Sequence, residues 1–367
     1  MKRLLWLDIS KGLAILWVVY FHFYRTYFEH GTLPPANWSG LAASVETVLG
    51  AAWLKVSELA LHAVGVFLIL SGWALMRSTM RRAESGTVAW GAWYRARFLR
   101  LYPMYWVAHL VYLLSPFIAR LEPVDSRIIL SLLGLRFIDI QMNLMYLNAA
   151  WWYFSMLIQF VFIFPLLFWT ARRLGPGFFL LIACAAGFFT RYLFLVAWPQ
   201  NGLWTLGGFA ICRLPEFALG MALAMWHSRS SASVEWFLLR GAGFVIGLIF
   251  YPAALWLYHN ATTYVFVDFA TSACCMLEII GIAGIISLFQ EPAKVFGLVG
   301  AYSYGLYLTH QPYVIWLGLR IREVPIWAFL LIVIPTLAAL SAWGMFLEKG
   351  TNSLVNKLVA AKKHAHA

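Results

Sequence analysis

The chain has 367 residues, 62% of them hydrophobic and 11% charged, and its mean hydropathy is +0.76. A protein this apolar cannot cover itself with a water-soluble surface, which excludes an ordinary soluble enzyme and predicts an all-α, polytopic membrane protein. The net charge of +12 does not point to nucleic acid, because the basic residues lie mainly between apolar runs, as topology signals do.

Apolar runs of about 20 residues predict ten spans, over 5–27, 53–76, 101–119, 150–171, 177–197, 208–227, 237–257, 268–289, 296–318 and 325–347. An even number puts both termini on one side. Lys2, Arg3, the loop from Arg77 to Arg100, the pair Arg172 and Arg173, then Arg229, Arg240, Lys294 and the tail lysines fall on alternate loops. Those loops hold 17 of the 27 basic residues, so they and both termini are expected in the cytoplasm. Residues 1–350 form the membrane domain, and 351–367 a short basic cytoplasmic tail. Aromatics at 17%, with 19 Trp, suit interfacial belts. Cys184, Cys212, Cys274 and Cys275 lie in apolar segments without ligand spacing, so they read as packing residues and no metal is expected.

The first span, Leu7 to Tyr24, reads LDISKGLAILWVVYFHFY. Eleven helical residues turn through about 1100°, so Lys11 and His22 share one face within roughly 20° and lie about 16 Å apart along the axis. Ionisable groups in such a run cost roughly 2.5–3.5 kcal/mol each and face a protein-lined cavity rather than lipid. This helix is therefore the candidate wall of an active site. Asp8, three residues before Lys11, is placed to pair with it and lies about 21 Å from His22, too far to orient that ring. The run continues past His22 and Arg25 without a small-residue cleavage site, so a retained first helix is expected.

Two outer segments, 28–52 with Pro34-Pro35 and 120–149 with the amphipathic piece Ile128 to Phe137, are long enough to be a lid, an acceptor-binding surface or plain connections. The second span ends GVFLILSGW, Gly65 to Trp73, where Ser71-Gly72 lets another backbone approach. In RARFLRLYPMYW, Arg95 to Trp106, Arg97 and Arg100 lie one turn apart, either as inner-face anchors or as forks for phosphate oxygens. The fourth span begins WWYFSMLIQFVFIFP, Trp151 to Pro165. In RLPEFALGMALA, Arg213 and Glu216 share a face and can neutralise each other. Arg191 and Glu278 are each expected to have a polar partner. The ninth span carries SYGLYLTHQPYV, Ser303 to Val314, where His310, beside the helix-perturbing Pro312, is either a hydrogen-bonded structural residue or part of a polar pocket. Glu348 closes the last span.

These motifs, in this order from Leu7 to Glu348, resemble the membrane acyltransferase type 3 family. The acid, base and later histidine of the first span resemble its first helix. GVFLILSGW resembles GVDLFFVLSGF, with Gly65 at the acidic place. Arg-x-x-Arg before Tyr-Pro-x-Tyr-Trp, the match at Trp152, Ser155, Gln159, Phe160, Phe164 and Pro165 with Leu157 at the glutamate position, RLPEFALGM, SYGLYLTHQP and the terminal Glu348 follow in turn.

The resemblance implies a multi-pass protein of the bacterial cytoplasmic (inner) membrane. It would move an acetyl or other short acyl group from cytoplasmic acetyl-CoA to a hydroxyl of an envelope or exported polysaccharide or glycolipid. Donor contacts would come from Arg97 and Arg100, an assignment the family itself suggests. Lys11, which replaces the usual Arg, would act as a counter-charge along the tunnel, with Asp8 and Ser71 beside it. His22 would be the general base, with His310 the second catalytic candidate. No serine or cysteine stands in a recognisable nucleophile motif, which favours direct transfer over an acyl-enzyme. A transporter or flippase of lipid-linked sugars is the rival, since buried charges suit a transport path, but no inverted repeat is visible.

Overall fold

The computed structural model describes residues 4–29, 50, 52–120 and 122–364, and among them there is helix and no strand. The segment 28–52 therefore lies largely outside the described residues, as do Lys2, Arg3 and the side chains of Lys362 and Lys363. The principal helices are α1 (Leu5–Glu29), α2 (Ala60–Glu84), α3 (Trp90–Leu114), α4 (Trp152–Leu174), α5 (Pro176–Tyr192) and α6 (Leu214–Arg229). They continue with α7 (Ala242–Trp256), α8 (Ala261–Ile286), α9 (Gln290–Ala301), α10 (Ser303–Arg320) and α11 (Ile326–His364).

Among the described residues seven helices are long and apolar enough to cross a membrane, or eight if the bent pair Pro199–Leu206 and Ala210–Arg229 makes one span. The protein is thus a multi-pass membrane protein. The expected spans 101–119 and 296–318 are not among these. The first is part of α3, which starts at Trp90 and carries Arg95, Arg97 and Arg100. The second is broken at Tyr302 into α9 and α10, and α10 carries Thr309, His310 and Gln311, all buried. α3 thus combines arginines at its start with the buried His109, and α10 turns its polar residues inward, which lowers the hydropathy of both below that of a lipid-facing span. The last helix runs without a break through Gly350 to His364.

Lipid tails are as apolar as leucine, so burying one apolar helix against another gains little in a bilayer. Close packing and polar contacts hold such helices together. The α2–α6 contact is of the first kind. A Cβ on Gly72 would sit 2.1 Å from the carbonyl oxygen of Phe217, and one on Gly220 1.8 Å from that of Ile69, so the two backbones touch. Ser71-Gly72 is the packing element that its small residues predict.

The centre of the molecule is aromatic: Trp93 stacks on Phe164 at 5.1 Å and Phe160 on Phe217 at 4.3 Å. A second cluster gathers Tyr105, Trp151, Phe154 and Leu308 between α3, α4 and α10. α1 packs against α2, α8, α9 and α10 and is walled in by them. Lipid-side faces are plain on α11, where Leu331 and Ile334 are exposed.

Candidate active site

Between α1, α2, α3, α4 and α10 lies a cavity of about 230 Å³. Its wall includes Lys11, His22, Ser71, Arg97, Arg100 and His310. Six of the seven residues singled out in the sequence therefore meet in one space, although they come from four helices. The seventh, Asp8, stands behind Lys11, its carboxylate 3.8 Å from the ammonium nitrogen, as the three-residue spacing predicts. It does not approach His22.

The end of the cavity near Lys11 is cationic. Arg97 lies over the ring of Trp93 at 5.4 Å, and the Trp93 indole N–H donates to Thr79 Oγ1 at 3.0 Å, so the platform itself is fixed. Arg100 reaches Glu348 Oε1 at 2.8 Å. The other carboxylate oxygen, Oε2, accepts the backbone N–H of Gly305 at 2.8 Å. Among the described residues Arg97 has no carboxylate partner, and its Nε is buried without a hydrogen bond. The two arginines thus differ: one is neutralised, and the other keeps its charge for something else.

Between the ends the wall is apolar or aromatic, with Leu70, Leu75, Leu157, Val161, Tyr153 and Tyr307. Ser71 Oγ and the Tyr153 hydroxyl share a hydrogen bond of 3.2 Å. At the far end the His22 and His310 rings stand 5.5 Å apart, centroid to centroid, tilted by 39°. His310 is fully buried. Its Nδ1 lies 2.8 Å from the carbonyl oxygen of Tyr307, and its Nε2 is buried with no hydrogen-bond partner. Such an orphaned acceptor costs about 1–3 kcal/mol, which a fold carries where a site needs it.

The turn carrying His310 is clamped from outside. Pro312 has no N–H, so the carbonyl of Leu308, four residues earlier, has no partner within the helix. It accepts Asn148 Nδ2 at 3.1 Å and the Trp151 indole N–H at 2.8 Å. Ala150 N donates to Gln311 Oε1 at 2.6 Å, and the Tyr307 hydroxyl donates to the Ala150 carbonyl. The clamp is itself held by Arg136, which donates to Ser131 Oγ and to the carbonyls of Met142, Asn143, Tyr146 and Asn148 at 2.8–3.3 Å. Burial pushes this guanidinium below its ordinary range without deprotonating it. Part of the segment 120–149 is thus a bracket for α10.

A model of the acyltransferase domain family matches residues 4–342, essentially the whole chain. The chain belongs to the acyltransferase type 3 family. No curated protein and no solved structure gave a match.

In this acyltransferase the departures from the family pattern have physical consequences. Leu157, at the glutamate position, makes its part of the cavity wall apolar. Gly65, at the acidic place of the second span, faces Ser272 and Arg213: a Cβ there would lie 1.7 Å from Ser272 Oγ and 3.3 Å from Arg213 Nη2. The carboxylate that Arg213 meets comes from α8 instead. Asp268 Oδ2 is 3.0 Å from Arg213 Nη1 and 2.5 Å from Arg191 Nη1, while Glu216 pairs with Arg213 Nε at 2.8 Å.

Arg191 therefore has the partner expected of it, and also donates to the carbonyls of Val265 and Tyr264. Glu278 differs: its Oε1 is buried without a hydrogen bond. Gln159, matched as a family residue, bridges Gly208 O and Ala210 N and supports the break before α6. Arg136 and Asn148 belong to no motif that marks them, and Asp268 is a residue the motifs pass over. For Asp268 the signal was present: an intramembrane carboxylate needs a partner wherever it occurs.

Proposed function

We propose that this protein transfers an acetyl or other short acyl group from cytoplasmic acetyl-CoA to a hydroxyl of an envelope or exported polysaccharide or glycolipid, in the bacterial cytoplasmic membrane. The observation that carries the reading is the polarity of one cavity. Cations line one end, two imidazoles line the other, and an apolar and aromatic wall joins them. Arg97 is the donor's phosphate fork, with Lys11 a second positive charge deeper along the wall. The thin thioester arm lies along Leu70, Leu157 and Val161. Its carbonyl then meets the acceptor hydroxyl beside His22.

His22 acts as the general base. It takes the hydroxyl proton while the oxygen attacks the thioester carbon, and the C–S bond breaks to release the thiolate. Neither serine nor cysteine is needed as an acyl carrier.

The test is His22→Ala in purified protein with acetyl-CoA and a glycan acceptor, following release of free coenzyme A. Turnover should fall by about 10²–10⁴-fold, the usual contribution of a general base, while donor binding survives because its contacts lie at the other end. His22→Gln should not rescue it, since an amide accepts no proton at neutral pH. Wild-type turnover should be full where the imidazole is neutral and fall as the pH drops and the ring is protonated. Retention of most turnover by His22→Ala would sink the assignment.

A further inference from the structure

Two observations at the deep end of the cavity are unused by that mechanism. One is the fixed tautomer of His310. A carbonyl oxygen only accepts, so the contact from Nδ1 to Tyr307 O at 2.8 Å requires the proton on Nδ1 and leaves the lone pair of the neutral ring on Nε2. The other is that this lone pair is buried with nothing donating to it. Two cavity-wall rings adjoin His310: Tyr307 at 6.3 Å, whose hydroxyl donates to the Ala150 carbonyl, and His22 at 5.5 Å between centroids, a gap that a small ring rotation closes. Among the described residues the His22 ring has Phe21 and His310 as ring neighbours and no hydrogen-bond partner.

We infer that His310 is the positioning residue for His22, its Nε2 accepting the N–H of His22 directly. This rests on the acyl-transfer reading above. Where the two rings meet directly each bond fixes the next, because His310 Nε2 can only accept and the proton must come from His22. Tyr307 O accepts from His310, His310 Nε2 accepts from His22, and the second nitrogen of His22 is left with the lone pair that faces the acceptor hydroxyl. During transfer the hydroxyl proton moves to that nitrogen as the new C–O bond forms and the C–S bond breaks. The imidazolium of His22 then returns the proton to the departing thiolate, giving free thiol. His310 keeps its own proton throughout and stabilises the His22 imidazolium, as a buried acceptor behind a catalytic histidine does. The bracket on Leu308, Gln311 and Tyr307 suits this role, because an orienting group must itself be immobile.

Solid-state NMR of the full protein in bilayers, with ¹⁵N-labelled histidine assigned by single substitutions, reads the tautomers without any turnover. His310 should be protonated on Nδ1 alone and His22 should show one tautomer. In His310→Phe, His22 should become a mixture. An unchanged His22 signal in that variant overturns the inference.

Kinetics separate positioning from proton transfer. His310→Phe should lower kcat by roughly 10–100-fold with an unchanged KM for acetyl-CoA. His310→Gln, whose amide oxygen can accept from His22 but takes no proton, should recover much of the loss. A Gln variant as inactive as His22→Ala would mean that His310 carries the proton itself, and the positioning role falls. A wild type with the expected tautomers that releases no coenzyme A with glycan acceptors refutes the acyl-transfer reading and supports the ring pair.

Discussion

Arg97 and Arg100 look equivalent in the sequence, one turn apart beside the same aromatic run, and the structure makes them unequal. Arg100 is bound to Glu348, whose side chain is 1% exposed, and a carboxylate buried that deeply needs its cation. Arg97 rests on Trp93 with no carboxylate beside it among the described residues. Arg97→Ala should therefore weaken acetyl-CoA binding by about 1.5–3 kcal/mol, the worth of a charge-assisted phosphate contact, with little change in Tm. Arg97→Lys should recover part of the loss, since a point charge cannot fork.

Arg100→Ala should behave differently. Its main effect should be a lower Tm, because Glu348 is left charged and short of a partner. The full cost of breaking a buried pair is about 3–5 kcal/mol, and less applies here because Arg100 is 46% exposed and partly screened by water. Titration calorimetry with acetyl-CoA and melting curves in detergent check both. Equal binding losses without a stability difference would mean that the pair acts as one unit. No local pattern could have separated them, because Glu348 lies 248 positions along the chain from Arg100 and the pairing exists only after α3 and α11 pack.

The helices that line the cavity were legible in part. The expected span 5–27 matches α1 at Leu5–Glu29, because an apolar run with Lys11 and His22 on a single stripe has one physical explanation. The spans 101–119 and 296–318 fall on α3 and on α9 with α10, but the start of α3 at Trp90 and the break at Tyr302 are not legible in an average hydropathy, which does not register which face of a helix is polar. Pro312 is visible as a perturbing residue, but what it does depends on Trp151 and Asn148, 161 and 164 positions earlier in the chain. In an ordinary helix interior Pro→Ala is stabilising, since proline costs about 3 kcal/mol there.

Here Pro312→Ala should gain little. The new N–H would compete for the Leu308 carbonyl with Asn148 Nδ2 and Trp151 Nε1, loosening the bracket as it straightens the helix. Amide exchange at Ala150, whose N–H is tied to Gln311, should quicken in the variant, and turnover should fall. Unchanged exchange at Ala150 would show that the bracket does not depend on the freed carbonyl.

Away from the cavity, α5, α6 and α8 are joined by two guanidiniums and two carboxylates, Arg191, Arg213, Glu216 and Asp268, so the buried charges cancel. The sequence disclosed half of this, the Arg213–Glu216 pair three residues apart, because that contact is local. Asp268 reaches the cluster from another helix, and Gly65 of α2 closes it off, with Ser272 filling the place where a side chain on residue 65 would begin. With Gly65 at that place of the second span, the anion beside Arg213 comes from Asp268 on α8.

Asp268→Asn should accordingly leave two cations with one anion and destabilise the fold by about 3–5 kcal/mol, seen as a large drop in Tm or in the monodisperse fraction. Gly65→Asp alone should not help, because its Cβ would collide with Ser272 Oγ at 1.7 Å. The triple variant Gly65→Asp, Ser272→Gly, Asp268→Asn puts the carboxylate back beside Arg213 from the other helix and removes the obstruction, so it should regain much of the lost Tm. A triple variant no more stable than Asp268→Asn, or an Asp268→Asn that melts like the wild type, would mean that charge balance is not what holds these helices together.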